Sequence, residues 1–291
     1  MTIIEIVKSL RLQQWIKNLF VFAPLIFSQN ILNRPLLLKT FEAFVAFCLV
    51  SSAHYIFNDL RDLQEDRRHP VKSLRPLASG RLKKGSAVAA LVVIGTAGLA
   101  LAASINLPFL LMAAGYLVLQ TVYSMWLKHV VILDIFVIAA GFLIRVVAGG
   151  LAIKVEISSW LLICTTLLAL FLAMGKRRYE LVLLDKDAVS HRPILKEYNT
   201  YLLDQMISVV TASTLLAYCL YTISAETVAK FGTRKLIFTV PFVLYGIFRY
   251  LYLIHQKAGG GTPEALIIRD KPLLADIFLW ITAAALILHF K

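Results

Sequence analysis

Apolar residues in this chain come in long, nearly unbroken runs, not in the alternating or one-sided spacing of half-buried elements. Runs near 18–33, 40–57, 86–104, 107–126, 130–152, 158–175, 205–225, 236–254 and 273–290 each approach the roughly 20 residues that a helix needs to cross a bilayer. Gly, Ser, Thr and Pro recur inside them, as in Ala139–Gly150 and Thr211–Thr214, which suits helices that approach closely in lipid. The pattern predicts an all-α polytopic membrane protein with nine transmembrane helices, its 291 residues forming a single integral-membrane domain. No small-residue cleavage site follows the first run, so that run reads as an anchor and not as a removed signal.

Composition narrows the class. A chain 59% hydrophobic and 16% charged, with mean hydropathy +0.76, is excluded from the soluble, disordered and disulfide-rich secreted classes. Cys48, Cys164 and Cys219 fall inside apolar runs without paired or metal-ligand spacing and read as packing residues. The net charge of +13 is unevenly placed. Most Lys and Arg lie at the N-terminus (Lys8, Arg11, Lys17), between the second and third runs (Arg61 to Lys84), at Lys128, between the sixth and seventh runs (Lys176 to Lys196), and at Lys257, Arg269 and Lys271. Cytoplasmic loops retain such residues, which puts the N-terminus inside and the C-terminus outside a bacterial inner or plasma membrane. The same loops attract anionic membrane lipids. Nucleic acid is excluded as a partner because the basic residues sit in membrane-bounded loops with no base-reading module.

The chemistry concentrates after the second run, in Asn58-Asp59-Leu60-Arg61-Asp62-Leu63-Gln64-Glu65-Asp66. Spacings of three and four on a helix place Asp59, Asp62 and Asp66 on one face, with Tyr55 a turn earlier on the same side. Three carboxylates on one face repel unless a cation sits among them. Oxygen ligands at a membrane surface suit Mg²⁺, which keeps waters and bridges substrate phosphates; a solvated helix end paired to Arg61, Arg67 or Arg68 is the other reading. The segment from His69 to Arg81 then sets Lys72, Arg75 and Arg81 among Pro, Ser and Gly, a loop suited to phosphate oxygens. Acidic face and basic loop together describe a magnesium-diphosphate site.

Asn58–Asp66 fits the pattern NDxxDxxxD, and Arg75-Pro76-Leu77 with Gly80 fits the RPLxxG that continues it; in these motifs, and over most of its length, the chain resembles the UbiA superfamily of intramembrane prenyltransferases. The resemblance implies a helical bundle around a central cavity open toward lipid, with Mg²⁺ and a diphosphate substrate near the cytoplasmic surface. In the aromatic-prenylating branch a second acidic motif follows the sixth span. Here that place reads Gly175-Lys176-Arg177-Arg178, followed by Asp185 and Asp187, two residues apart and so turned away from each other on a helix.

The chain is instead similar to the decaprenyl-phosphate phosphoribosyltransferase branch, in Arg11–Asn18, His69-Pro70, Tyr123-Ser124 with Leu127-Lys128, Asp134 to Arg145 with Ala148-Gly149-Gly150, and Gly175-Lys176-Arg177. That resemblance implies transfer of 5-phosphoribose from phosphoribosyl pyrophosphate to a polyprenyl phosphate, releasing pyrophosphate. The alternative is transfer of a polyprenyl group from its diphosphate to an aromatic or haem-type acceptor. The resemblance to the phosphoribosyltransferase branch implies Asp59, Asp62 and Asp66 as metal ligands and Asp59, Asp62, Lys17 and Arg75 as catalytic residues. Asn58, Tyr55, Lys72, Tyr123, Lys128, Asp134, Arg145, Lys176 and Arg177 would bind substrate. Asn58 is an oxygen ligand or an orienter, and Lys128, Lys176 and Arg177 serve either the 5-phosphate or the lipid phosphate. Lys17, beside Trp15, is an interfacial anchor or a lipid-phosphate ligand. Asp134 and Arg145, almost three turns apart, share a face; Arg145 lines a cavity or pairs with another helix. His54, Glu156, Arg249 and His255 have no constellation behind them and read as packing or interface residues. Polyprenyl length is not encoded in any motif, and a homo-oligomer is left open.

Overall fold

The structure is a computed structural model describing residues 2–68, 71–184, 193–257, 266–267 and 269–289. The described residues form helices and connecting turns, with no strand among them. Eight helices are long and apolar enough to cross a membrane, which with their composition makes this an integral membrane protein. The chain divides into two compact units, Met1–Ile157 and Ser158–Lys291.

The first unit comprises α1 (Thr2–Ser9), a 3₁₀ segment (Leu12–Phe22), α2 (Ala23–Phe27), α3 (Arg34–Arg61), α4 (Leu63–Arg68), α5 (Lys84–Ile105), α6 (Leu107–Met125) and α7 (Leu133–Ile153). Asn33 and Asn106 cap α3 and α6, accepting hydrogen bonds from Leu36 N and Phe109 N at 3.3 and 2.8 Å, and each cap precedes a proline in the first turn, where its missing N–H costs nothing. The core joins Val21, Leu25, Phe47, Phe109, Tyr116 and Ala148, with Phe47 edge-on to the Phe109 and Tyr116 rings at 5.7 and 5.6 Å. Small residues set the helix spacing. A Cβ at Gly98 of α5 would sit 3.0 Å from Leu49 and Val50 of α3, so the glycine permits that approach.

The run expected to form the first of nine spans, at 18–33, departs from expectation. It is a 3₁₀ segment followed by the single turns of α2, and it is not among the eight long apolar helices. With three residues per turn, side chains three apart eclipse, so Leu12, Trp15, Asn18 and Val21 form one row. Trp15 Nε1 donates to Ser52 Oγ of α3 at 3.0 Å, Asn18 is buried, and Val21 is fully enclosed. A Cβ at Gly149 of α7 would lie 2.1 Å from the Val21 carbonyl oxygen, so only glycine admits the segment at this depth. Hydrogen bonds from Trp15 to Ser52 and from Asn18 to Ser51 on α3, and from Arg145 on α7 to Asn18, tie the segment down, which the apolar run alone does not reveal.

The second unit comprises α8 (Ser159–Leu184), a 3₁₀ turn (Pro193–Glu197), α9 (Thr200–Ile223), α10 (Ala225–Phe231), a 3₁₀ turn (Lys235–Thr239), α11 (Val240–Gln256) and α12 (Lys271–His289). Two hydrogen bonds tie its elements together: Tyr218 Oη with Thr239 Oγ1 at 2.7 Å and Trp280 Nε1 to Tyr218 Oη at 2.8 Å. Arg249, expected to be an ordinary interface residue, grips Asp270 with two nitrogens at 3.0 and 2.9 Å. Asp185, Asp187 and the His69-Pro70 pair lie outside the described residues.

Candidate active site

The site of the first unit is built where α3 ends. The helix does not run unbroken through the motif: it stops at Arg61, Asp62 caps it, and α4 begins at Leu63. The backbone bonds Asp62 N to Asn58 O and Asp66 N to Asp62 O, 2.9 and 2.8 Å, keep the turn nearly helical across this break. Asp59 and Asp66 are buried at 4% and 3% exposure. Both reach Arg75: its Nη1 lies 3.1 Å from Asp59 Oδ1 and 2.5 Å from Asp66 Oδ2. Asp62 turns instead to Lys128, whose Nζ is 3.0 Å from Oδ1.

The loop that delivers Arg75 explains its own sequence. Leu77 and Leu82 bury their side chains with Ile56 and Leu63 beneath the end of α3. Between them Gly80 takes φ +80°, a backbone open to glycine at no steric cost, and the loop closes through Ser79 N to Arg75 O at 2.9 Å and Leu82 N to Pro76 O at 2.8 Å. Arg75 is therefore held at the base of a pinned turn. Lys72 lies one step earlier, on the short 3₁₀ turn Lys72–Leu74.

Three participants escaped the sequence reading as site residues. Arg11, in the left-handed region at φ 54°, bonds Asp59 Oδ1 through Nη2 and lies over the Tyr55 ring, 5.0 Å from its centroid. Ser124 donates to Asn58 Oδ1 at 2.9 Å, and His54 Nε2 stands 3.5 Å from the same hydroxyl. Arg11 belonged to the Arg11–Asn18 segment and Ser124 stood beside Tyr123, so both were within reach of the motifs; His54 carried no signal.

Arg145 is placed elsewhere. It is 3% exposed and donates to Asn18 Oδ1 at 2.7 Å, Gly141 O at 2.6 Å and Tyr116 Oη at 2.9 Å, beneath the Tyr116 and Phe142 rings. Among the described residues it has no carboxylate partner. Asp134 is fully buried in the first turn of α7. Lys17 follows Ile16 in the 3₁₀ segment and Tyr123 is half-buried near the end of α6. In the second unit Arg177, 1% exposed, donates to Glu180 Oε2 at 2.7 Å, with Lys176 Nζ 4.0 Å from Glu180 Oε1. Arg178 binds Asp204 at 2.6 Å.

The donor chemistry at α3 suits a hard divalent cation. Two carboxylate oxygens converge on one nitrogen-sized position at Arg75, and Mg²⁺ takes one or two carboxylates plus water and phosphate oxygens. Among the described residues no three His, Cys, Asp or Glu side chains stand together as a ready metal cage; Arg11 and Arg75 hold Asp59, Arg75 also holds Asp66, and Lys128 holds Asp62.

Residues 19–288 match the UbiA prenyltransferase family. The chain belongs to that family. Among its UbiA relatives, the decaprenyl-phosphate phosphoribosyltransferase of Mycobacterium tuberculosis is 32% identical over 290 residues, covering 98% of this chain and 94% of the relative. That of Corynebacterium glutamicum is 32% identical over 280 residues, covering 94% and 84%. A UbiA homologue from Archaeoglobus fulgidus, solved with GPP and Mg²⁺ bound, superposes with TM-score 0.74 over 98% of this chain and 99% of its own, at 19% identity. The fold is therefore the UbiA fold, and the protein is an integral-membrane transferase.

Proposed function

We propose that this UbiA protein transfers 5-phosphoribose from phosphoribosyl pyrophosphate to a polyprenyl phosphate, releasing pyrophosphate, at the cytoplasmic face. The observation that carries the reading is the cation balance at the carboxylates: Asp59, Asp62 and Asp66 are matched by Arg11, Arg75 and Lys128. With the carboxylates turned to a divalent cation, Arg11, Arg75 and Lys128 would be free to bind phosphate groups. Phosphoribosyl pyrophosphate with a lipid monophosphate presents more such groups than a prenyl diphosphate with a neutral aromatic acceptor. The Lys176-Arg177-Arg178 run, where the aromatic-prenylating branch is acidic, supports the same choice, as do the names of the relatives.

In this reading Asp59, Asp62 and Asp66 hold Mg²⁺, which when bound supplies charge neutralisation to the diphosphate. Arg75 and Lys72 contact phosphates of the sugar donor, and Lys128, Lys176 and Arg177 bind the 5-phosphate or the lipid phosphate. Lys17 meets the lipid phosphate. That phosphate is already an anion at neutral pH and needs no general base, so the chain's work is positioning and charge stabilisation. The C1–O bond to the diphosphate breaks as a lipid phosphate oxygen bonds C1 from the opposite face, inverting the anomeric centre.

The test uses purified protein in anionic lipid with Mg²⁺, labelled phosphoribosyl pyrophosphate and a polyprenyl phosphate. Label should enter the organic phase with equimolar pyrophosphate, and EDTA should stop it. Absence of transfer by folded protein, with turnover of a prenyl diphosphate onto an aromatic acceptor, would replace this reading with the other UbiA chemistry.

A further inference from the structure

The outer face of α1 is apolar. On a helix Ile3, Val7 and Ile4 fall within about 100° of one another; Ile3 and Ile4 are 77% and 61% exposed and Val7 is exposed too, while Ile6 and Leu10 pack inward against the cluster of Ile56, Leu63, Leu77 and Leu82. A second apolar tip stands on the loop that carries Lys72 and Arg75. Val71 and Leu74 are each 70% exposed, and they flank a 3₁₀ turn closed by Leu74 N to Val71 O at 3.3 Å, so they share a face. Arg81 joins the two tips: its Nη2 donates to the Leu74 carbonyl, and its Nε lies 3.6 Å from Glu5 Oε2 of α1. At the other end of α1, Ser52 Oγ donates to Leu10 O at 3.0 Å, within the membrane-spanning length of α3. α1 therefore runs across the boundary where the apolar helices end.

The surroundings say what covers these side chains. α1 packs on α5, whose Val88, Val92 and Val93 are exposed on a helix long and apolar enough to span a membrane, so the apolar face of α1 continues a lipid-facing one. Exposed cations rim it at Lys8, Lys83 and Lys84. Like charges brought face to face disfavour a second copy of this chain, whereas an apolar face with a basic rim suits an anionic bilayer surface. We propose that α1 and the Lys72–Leu74 turn form a membrane-surface anchor. Ile3, Ile4, Val7, Val71 and Leu74 enter the boundary between headgroups and acyl chains of an anionic bilayer, and Glu5 and Arg81 transmit that seat to the loop. The loop bearing Lys72 and Arg75 is thereby held at headgroup depth. The anchor is independent of which group the protein transfers.

Spin labelling of the full-length protein, reconstituted in vesicles of equal parts phosphatidylcholine and phosphatidylglycerol, tests it. Nitroxides are placed singly at Ile4→Cys and Leu74→Cys, with Cys48, Cys164 and Cys219 replaced by Ala, and Val92→Cys on α5 supplies the lipid reference. Oxygen, which partitions into acyl chains, should relax both labels more than a water-soluble nickel chelate does. A chelate-dominated signal at either position puts that tip in water and overturns the anchor. Spin–spin broadening that disappears on dilution with unlabelled protein puts a second copy on this face and overturns it as well. Ile3→Ser and Val7→Ser together should shift the Leu74 label toward the chelate with the thermal midpoint kept, and Arg81→Gln should do the same by cutting the tie; a Leu74 label indifferent to both overturns the coupling. In phosphatidylcholine alone both labels should move toward water, and no movement overturns the anionic preference. Should the cysteine-free protein not fold, Ile4→Trp and Leu74→Trp in the native chain should be quenched by brominated lipid beyond the wild-type level, and quenching at the wild-type level overturns the proposal.

Discussion

At the end of α3 three carboxylates meet three cations; half-way along α7 a single guanidinium meets none. Arg75, which bridges Asp59 and Asp66, keeps 25% of its side chain exposed and Lys128 keeps 15%, so both can leave their partners for another anion. Arg145 is 3% exposed and is satisfied by an amide oxygen, a phenol and a carbonyl. Neutral acceptors avoid the cost of desolvating a second charge, and the Tyr116 and Phe142 rings add cation–π attraction. Exchangeable charge and fixed charge are thus separated within one unit: ion pairs where substrate arrives, dipoles where helices are tied together.

The strongest way to break this contrast is to neutralise the exchangeable side. Asp59→Asn and Asp62→Asn should each lower transfer by about a hundredfold to a thousandfold, the scale of losing one preorganised electrostatic contact, with the thermal unfolding midpoint nearly unchanged. Substantial activity in either variant would remove these carboxylates from the reaction. On the fixed side, Arg145→Leu strands Asn18 and Tyr116 and should cost about 2–3 kcal/mol of stability, read as a lower midpoint in detergent. Unchanged stability with weakened substrate binding would instead move Arg145 into the active site. Gly149→Ala drives a methyl into the Val21 carbonyl and should cost about 1–3 kcal/mol; a midpoint equal to wild type would show that the 3₁₀ segment yields easily.

The smallest effect lies outside the membrane helices, at Asp270. The hydrogen bond from Arg249 holds its carboxyl below the usual carboxylate range, with burial opposing. A depressed folded pKa adds stability that is present above the unfolded value and lost as pH falls through the folded one. Acid titration of Asp270→Asn against wild type should therefore show the two proteins converging below pH about 4. Parallel curves across that range would show that the pair contributes nothing.

Much of this was legible in the chain. Long apolar runs locate α3, α5, α6, α7, α9, α11 and α12 because burial in lipid requires little else of a helix, and the run after Ser158 locates the start of α8 although the helix continues through the basic residues to Leu184. Asp59, Asp62 and Asp66 announced themselves by spacing, and Arg75 by the turn residues around it. Their pairing did not: whether Asp62 faces Arg75 or Lys128 depends on where α3 stops, a matter of one cap. Arg11 was hidden because a residue at positive φ leaves the helical periodicity on which such reading relies. His54 was hidden because its partner lies on α6, seventy residues along the chain.

The winding of Leu12–Phe22 also sets a length. A 3₁₀ helix rises about 2.0 Å per residue and an α-helix about 1.5 Å, so the stretch between Arg11 and Asn18 would shorten by about 3.5 Å on rewinding. Asn18 is moored to Arg145 and Val21 to the notch at Gly149, so the slack would fall on the N-terminal side of Asn18, at the Trp15–Ser52 bond and at Arg11. That distance exceeds a hydrogen bond, and the thin helix is therefore a spacer whose pitch decides whether Arg11 reaches Asp59 at all.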